Sequence, residues 1–416
     1  MFARKFLLIS GACCVVIGLV ACSSDPSNDT PRTIVVPTDA STIQEAVDNS
    51  KEGDLILIEP GTYSEAVSVK TDNIVIRGVD RNEVVVDGQH KFANGFTVTS
   101  NGVVIENLTV HSFQQNAVLF TGIVANAYDK AGEDDRVVDG YRVSYVTTYN
   151  NGLYGVYAIA ARNGIIEHSY ASGHPDSGFY VGQCRPCNVV LTDLIAENNA
   201  IGYYGTNASG NVWVVNSIYR NNRLGIAPNS QDAEFLAPQE DTIVAGNVVD
   251  NNDNPNAPEI PEGFFGSGIA IGGGTKNIVA KNLVRGHVGA GIILLPMNKY
   301  LPIGNTISEN TLSDNAIDLA YQTDTPNAYQ NCFEKNTYST SIPSDIDTVM
   351  TCSGTASLAG AIQIALPPAP DGPNYKGVVK PGPQPNMAFP RTALASPMTT
   401  EPTYPTLASI RVPNVS

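Results

Sequence analysis

The stretch NVVLTDLIAENNAIGYYGTNASG, residues 188–210, followed by NVWVVNSIYRNNRLGIAPN, residues 211–229, decides the fold, because its two halves are copies of one pattern. Each copy runs from a β-rich segment through an Asn-rich turn to a Gly and a second β-rich segment: Asn198-Asn199 to Gly202, then Asn221-Asn222 to Gly225. Upstream, the same pattern begins at Gly164-Ile165-Ile166 and at Tyr141-Arg142-Val143, where Asn150-Asn151 leads to Gly155. Starts at 141, 164, 188 and 211 are 23, 24 and 23 residues apart, and looser copies begin near Asp241, Lys276 and Gly304, the last with Asp314-Asn315 leading to Asp318. A fixed period of this length signals a solenoid. At about 3.3 Å per extended residue, one period suits three short strands and three corners in a closed coil. Stacked coils bury each apolar interior and pair every backbone amide with the rung above or below. A leucine-rich repeat needs Leu and Asn spacings that are absent, and an up-and-down barrel keeps no such register.

Upstream of the repeat, Thr42 and Glu45 have capping-box spacing and place Ile43, Ala46 and Val47 on one face of a short helix. Short β runs follow at Leu55 to Ile58, Val67 to Val69, Ile74 to Ile76 and Val84 to Val86, so the helix is expected to cap a β structure. The repeat, the capping helix and the Asn-rich corners together resemble the right-handed parallel β-helix of the pectin-lyase-like superfamily, over roughly Thr33 to Tyr338. The resemblance implies an all-β solenoid over 33–364. It implies no single activity, since the superfamily holds lyases, hydrolases, esterases, epimerases, adhesins and accessory proteins. The residue signatures of polygalacturonases, pectin methylesterases and pectate lyases are not found.

With the repeat as a ruler, Asn151, His174, Asn198 and Asn221 share a column that His287 and Asp314 continue. Members of the superfamily commonly carry an asparagine ladder at this corner, so His174 and His287 are each either a ladder residue or a catalytic group. Tyr157, Tyr180 and Tyr204 form a second column beside Phe179 and Tyr203. Adjacent columns point to opposite faces, so one of them is exposed, and an exposed tyrosine row suits sugar rings. At Gly173-His174-Pro175-Asp176-Ser177-Gly178-Phe179-Tyr180 the Asn pair gives way to His-Pro-Asp, with Asp176 over Ala200 and then Arg223. His174, Asp176, Tyr180 and Arg223 are the candidate catalytic set for proton abstraction beside a carboxylate, which needs a cation, a base and a donor. Tyr157, Tyr204 and Arg220 are the candidate substrate-binding residues. This segment resembles the His/Pro/Asp-rich motif of mannuronan epimerases, in a different residue order. A hydrolase would need two carboxylates, of which Asp176 and Glu197 are the candidates. A purely structural rung, tightened by Pro175, is the alternative.

Residues 1–21 read as a signal peptide: Arg4 and Lys5, then an apolar run too short to span a membrane, ending at Leu19, Val20, Ala21 and Cys22. That ending resembles a bacterial lipoprotein signal, which implies an exported protein lipidated at Cys22 and tethered by 22–32. Cys184, Cys187, Cys332 and Cys352 remain for disulfides, paired by neighbourhood, with a redox or metal site as the alternative for Cys184 and Cys187. Two insertions carry carboxylates that could take Ca²⁺ or simply be solvated: Asp129, Glu133, Asp134, Asp135 and Asp139 in one, Asp253, Glu259 and Glu262 in the other. Residues 365–416 are Pro-rich and read as an extended or disordered tail.

The 416 residues are 42% hydrophobic and carry a net charge of −16, which is enough apolar material for a core and the wrong sign for a nucleic-acid binder. The resemblance and the tyrosine column together imply polysaccharide or envelope-glycan binding or modification by a membrane-anchored monomer, with a uronan lyase or epimerase as the enzymatic form. The alternative is a non-catalytic adhesion or envelope module. No cofactor beyond Ca²⁺ is implied, and an accessory role in metallocofactor assembly lacks a His or Cys cluster.

Overall fold

The computed structural model describes residues 30–122, 137–258 and 264–414. Strands stack in parallel into three sheets of 12, 11 and 10 strands, each sheet taking one strand from successive turns. One turn passes through Val189–Thr192 in sheet A, Ile195–Glu197 in sheet B and Ile201–Thr206 in sheet C. The next turn places Val212–Val215, Ile218–Arg220 and Leu224–Asn229 upon them in register. This is the parallel β-solenoid expected from the repeat, about 12 turns long. Its interior is filled by alternating strand residues such as Val189, Leu191, Ala196, Tyr203 and Ile226.

All three corners follow one rule, a residue in the left-handed region and then a residue whose side chain turns inward. Positive φ at Asn198 (59°), Asn221 (52°) and Asp314 (58°) makes the turn from sheet B to sheet C. That conformation costs most L-residues roughly 1–2 kcal/mol, and Gly, Asn and Asp tolerate it best. The inward residues there are Asn199, Asn222 and Asn315, so at these three turns the ladder lies one position later than expected from the repeat, while Asn151, His174 and His287 lie in it as expected. In each polar pair the first residue turns the chain and the second builds the stack.

Two further ladders were not expected. Asn247, Asn282, Asn310 and Asn336 stack at the A–B corner, with amide bonds of 3.0, 2.9 and 3.0 Å. Asn277, Asn305 and Asn331 stack at the C–A corner, at 2.9 and 2.7 Å. Each buried amide donates down the stack and accepts from above, which is the condition for burying it.

The helix Ile43–Asp48 closes the first turns as expected, with Thr42 as N-cap and Ile43, Ala46 and Val47 buried. A second helical turn, Ile346–Val349, lies after the last strands. From residue 362 the chain forms a strap along the coil. Ile362 pairs with Thr323, Val378 accepts from Asn150, and Pro385 accepts from Arg81. Pro390, Ala393 and Leu394 accept from Arg77, and Tyr404, Leu407 and Ile410 finally pack on Val190, Trp213, Val215 and Ala245 of sheet A.

Candidate functional site

His174 is wholly buried in the B–C ladder. Its Nδ1 lies 2.8 Å from Asn199 Oδ1 and its Nε2 3.2 Å from the Asn151 amide nitrogen. A neutral ring protonated at Nδ1 reproduces what a ladder Asn offers, one acceptor upward and one donor downward. Burial pushes its pKa down to about 4 against the opposing bond to Asn199, and so keeps it neutral. His287 repeats the arrangement between Asn252 and Asn315, also at about 4. Neither ring reaches the outer surface.

The tyrosine column has the expected register, Tyr157 on Tyr180 on Tyr204, with Phe179 on Tyr203 beside it. Phe179 and Tyr203 fill the interior, while Tyr157, Tyr180 and Tyr204 form the outer face of sheet C. Tyr154, at the preceding corner, stacks on Tyr157 at 4.2 Å and meets Tyr180 edge-on at 5.1 Å. Tyr180 is only 1% exposed, whereas Tyr154 and Tyr157 are half-buried.

Two carboxylates flank this floor. Tyr154 hydrogen-bonds Asp176, and burial together with the Asp176 charge pushes its phenol far above its usual range. Tyr180 donates to Glu234 at 3.2 Å, and Gln183 donates to the same oxygen. Burial first, and the Glu234 charge next, hold the Tyr180 phenol protonated. Gln231 donates to the Tyr204 hydroxyl at 2.6 Å. Glu234 and Gln231 belong to the segment between Asn229 and Thr242, which folds back over sheet C. Their signal in the sequence was the 30-residue gap between the copies starting at 211 and 241, and it went unread. Tyr154 had no signal beyond its place before Gly155.

The other expected site residues separate. Asp176 is 9% exposed at the B–C corner, in the register expected above Ala200 and Arg223. Arg223 is 4% exposed, 5.0 Å over the Phe265 ring, and donates to the carbonyls of Ala257 and Pro370. Arg220 is on sheet B, bonded to Glu197 at 2.6 Å in a charged column with Asp250 and Arg285. Both Arg220 and Glu197 thus lie across the corner from the tyrosines. Cys184–Cys187 and Cys332–Cys352 are disulfides, as expected. Cys22 and Asp129, Glu133, Asp134, Asp135, Glu259 and Glu262 lie outside the described residues. Asp139 pairs with Arg162, and among the described residues no His, Cys, Asp and Glu group is arranged to hold a metal ion.

The family described as "Right handed beta helix region" matches residues 136–312. No curated protein matches in sequence. Among solved structures, the Azotobacter vinelandii mannuronan C-5 epimerase AlgE6 A-module superposes with TM-score 0.54 at 13% identity, covering 72% of this chain and 92% of that one. The AlgE4 A-module of the same organism gives 0.49 at 13%, covering 77% and 91%. An alginate lyase from Paenibacillus gives 0.44 at 15%, covering 74% and 96%. The chain is similar to these in fold.

Proposed function

We propose that the protein binds a polysaccharide on the outer face of sheet C, and that the ligand is a neutral glycan. The observation that carries this reading is the tyrosine floor set between Asp176 and Glu234. Flat aromatic faces with polar edges suit sugar rings, and carboxylates accept hydrogen bonds from sugar hydroxyls. Tyr154 and Tyr157 are the half-open part of the floor, and Glu234 on the folded-back segment forms one wall.

A uronan lyase or epimerase is the second reading, favoured by the Tyr154–Asp176 pair and by the fold shared with the mannuronan C-5 epimerase AlgE6 A-module. It needs a cation facing the substrate acid and a base in reach. Arg223 is tied to Ala257, Phe265 and the strap, His174 is inside the coil, and two carboxylates beside the floor repel a polyanion. These features weigh toward binding. Export and lipidation at Cys22 belong to the same proposal, supported by the apolar run before it and by the disulfides, which persist in oxidising compartments. Loss of lipid labelling in Cys22→Ala is expected, and unchanged labelling contradicts it.

Calorimetric titration with neutral oligosaccharides and with oligouronates tests the ligand class. The expected result is saturable heat with a neutral oligosaccharide and about tenfold weaker binding in Tyr157→Ala, the loss of roughly 1.4 kcal/mol of stacking. Tight binding of oligouronates alone, or release of unsaturated products, would establish the second reading instead.

A further inference from the structure

Residues far apart in sequence meet where the strap crosses sheet B. Asp87, His111 and Tyr149 are successive members of one outward column on sheet B. The His111 ring stacks on Tyr149 at 4.5 Å with 14° between planes, and its Nδ1 lies 3.6 Å from Asp87 and 2.7 Å from the Ser112 hydroxyl. Ser112 holds φ of 60° at the B–C corner, where the later turns carry Asn, Asp or Gly. His90 stands beside this group, and the strap lays Tyr375 edge-on to it at 5.7 Å. Lys380, also on the strap, places its Nζ 5.8 Å from the Tyr149 ring.

The charges at this junction do not close. Lys376 and Lys380 are exposed, Lys376 with its Nζ 5.8 Å from the Tyr375 ring, and among the described residues neither has a carboxylate within 4.0 Å. His90 Nδ1 is buried with no hydrogen-bond partner among the described residues. Burial first, and Lys376 next, lower the His90 pKa, with Asp87 opposing. His111 is lowered by burial against Asp87, with Lys380 and His90 adding to the depression. Asp87 is thus the acidic group beside both imidazoles, and its Oδ1 also accepts from the Gln89 backbone amide. The strap backbone is fastened between the two lysines, at Asn150 by Val378, and again beyond them, at Arg81 by Pro385.

We propose that this junction binds an oxoanion, a phosphate or sulfate group, alone or as an ester on a larger ligand. Such a group has several acceptor oxygens, which match two ammonium groups beside the His90 ring, and it would neutralise the excess positive charge on an otherwise acidic molecule. His111 and Tyr149 then form the wall against which it rests.

Imidazole ¹⁵N NMR of the folded protein, titrated with sodium sulfate and with sodium phosphate at ionic strength held constant by sodium chloride, tests the assignment. The expected result is a saturable shift of the His90 and His111 signals, weakened at least tenfold in the Lys376→Ala/Lys380→Ala double variant at unchanged melting temperature. A non-saturating response equal to that of chloride, or full affinity in the double variant, would overturn it. Stronger saturation by glucuronate than by either tetrahedral anion would overturn it as well.

Discussion

A histidine stands in for asparagine at residues 174 and 287 because an imidazole with one proton offers the same acceptor and donor along the stack. His174→Asn should therefore keep or raise the melting temperature at pH 7. His174→Ala should lower stability by about 1–3 kcal/mol, since Asn151 and Asn199 would lose a buried partner. The same burial makes stability depend on pH. Both histidines titrate near 4 when folded and near 6.5 when unfolded, so between those values the unfolded chain binds more protons. Stability is unaffected by these groups above pH 6.5 and falls as pH drops to 4, by roughly 3 kcal/mol for each ring. Denaturant melts at pH 7 and pH 4.5 should show a smaller acid loss in His174→Asn than in the parent. An equal loss in both would mean that His174 is not held neutral in the fold. The column itself was legible in the sequence, but its position at the Asn198, Asn221 and Asp314 turns was not. Period alone cannot say which member of an Asn pair turns the chain, and φ at Asn198 and Asn221 settles that.

Strands were legible because short β-branched runs recur with turn residues between them, and the corner ladders carried a signal that went unread. Asn305, Asn310 and Asn315 are spaced by five, as are Asn331 and Asn336, because one three-residue strand and two turn positions separate successive corners. The strap was legible only as an extended segment. Proline has no amide proton, so a Pro-rich strap mainly accepts, and the donors that fix it are dispersed over the coil at Arg77, Arg81, Asn82, Asn150, Arg223 and Lys281. Nothing local to residues 365–416 announces those partners. Ending the chain after residue 361 would uncover the apolar residues now under Ile364, Leu366, Tyr404, Leu407 and Ile410. That variant should bind a hydrophobic dye and melt several degrees lower, because exposed apolar surface loses about 25 cal/mol per Å². An unchanged melting temperature without dye binding would show the strap to be marginal to the fold.

Across the whole molecule, the coil supplies three long faces and the strap and folded-back segment decide which parts of them stay open. Sheet A loses an apolar stripe to Tyr404, Leu407 and Ile410, and sheet C loses Ala227, Ala270, Ile293 and Ala320 to the cluster that Ile364 and Leu366 join. The tyrosines, in the same column on the turns N-terminal to those residues, lie beside Glu234. An aromatic row could be read from the sequence, but its outward face could not, because alternation fixes only that neighbouring columns differ. Hydrogen–deuterium exchange of the whole protein with and without a saturating neutral oligosaccharide tests the central claim most directly. The account predicts protection confined to peptides covering residues 152–158 and 229–236. Protection confined to residues 87–112 and 372–382, or none at saturation, would contradict it.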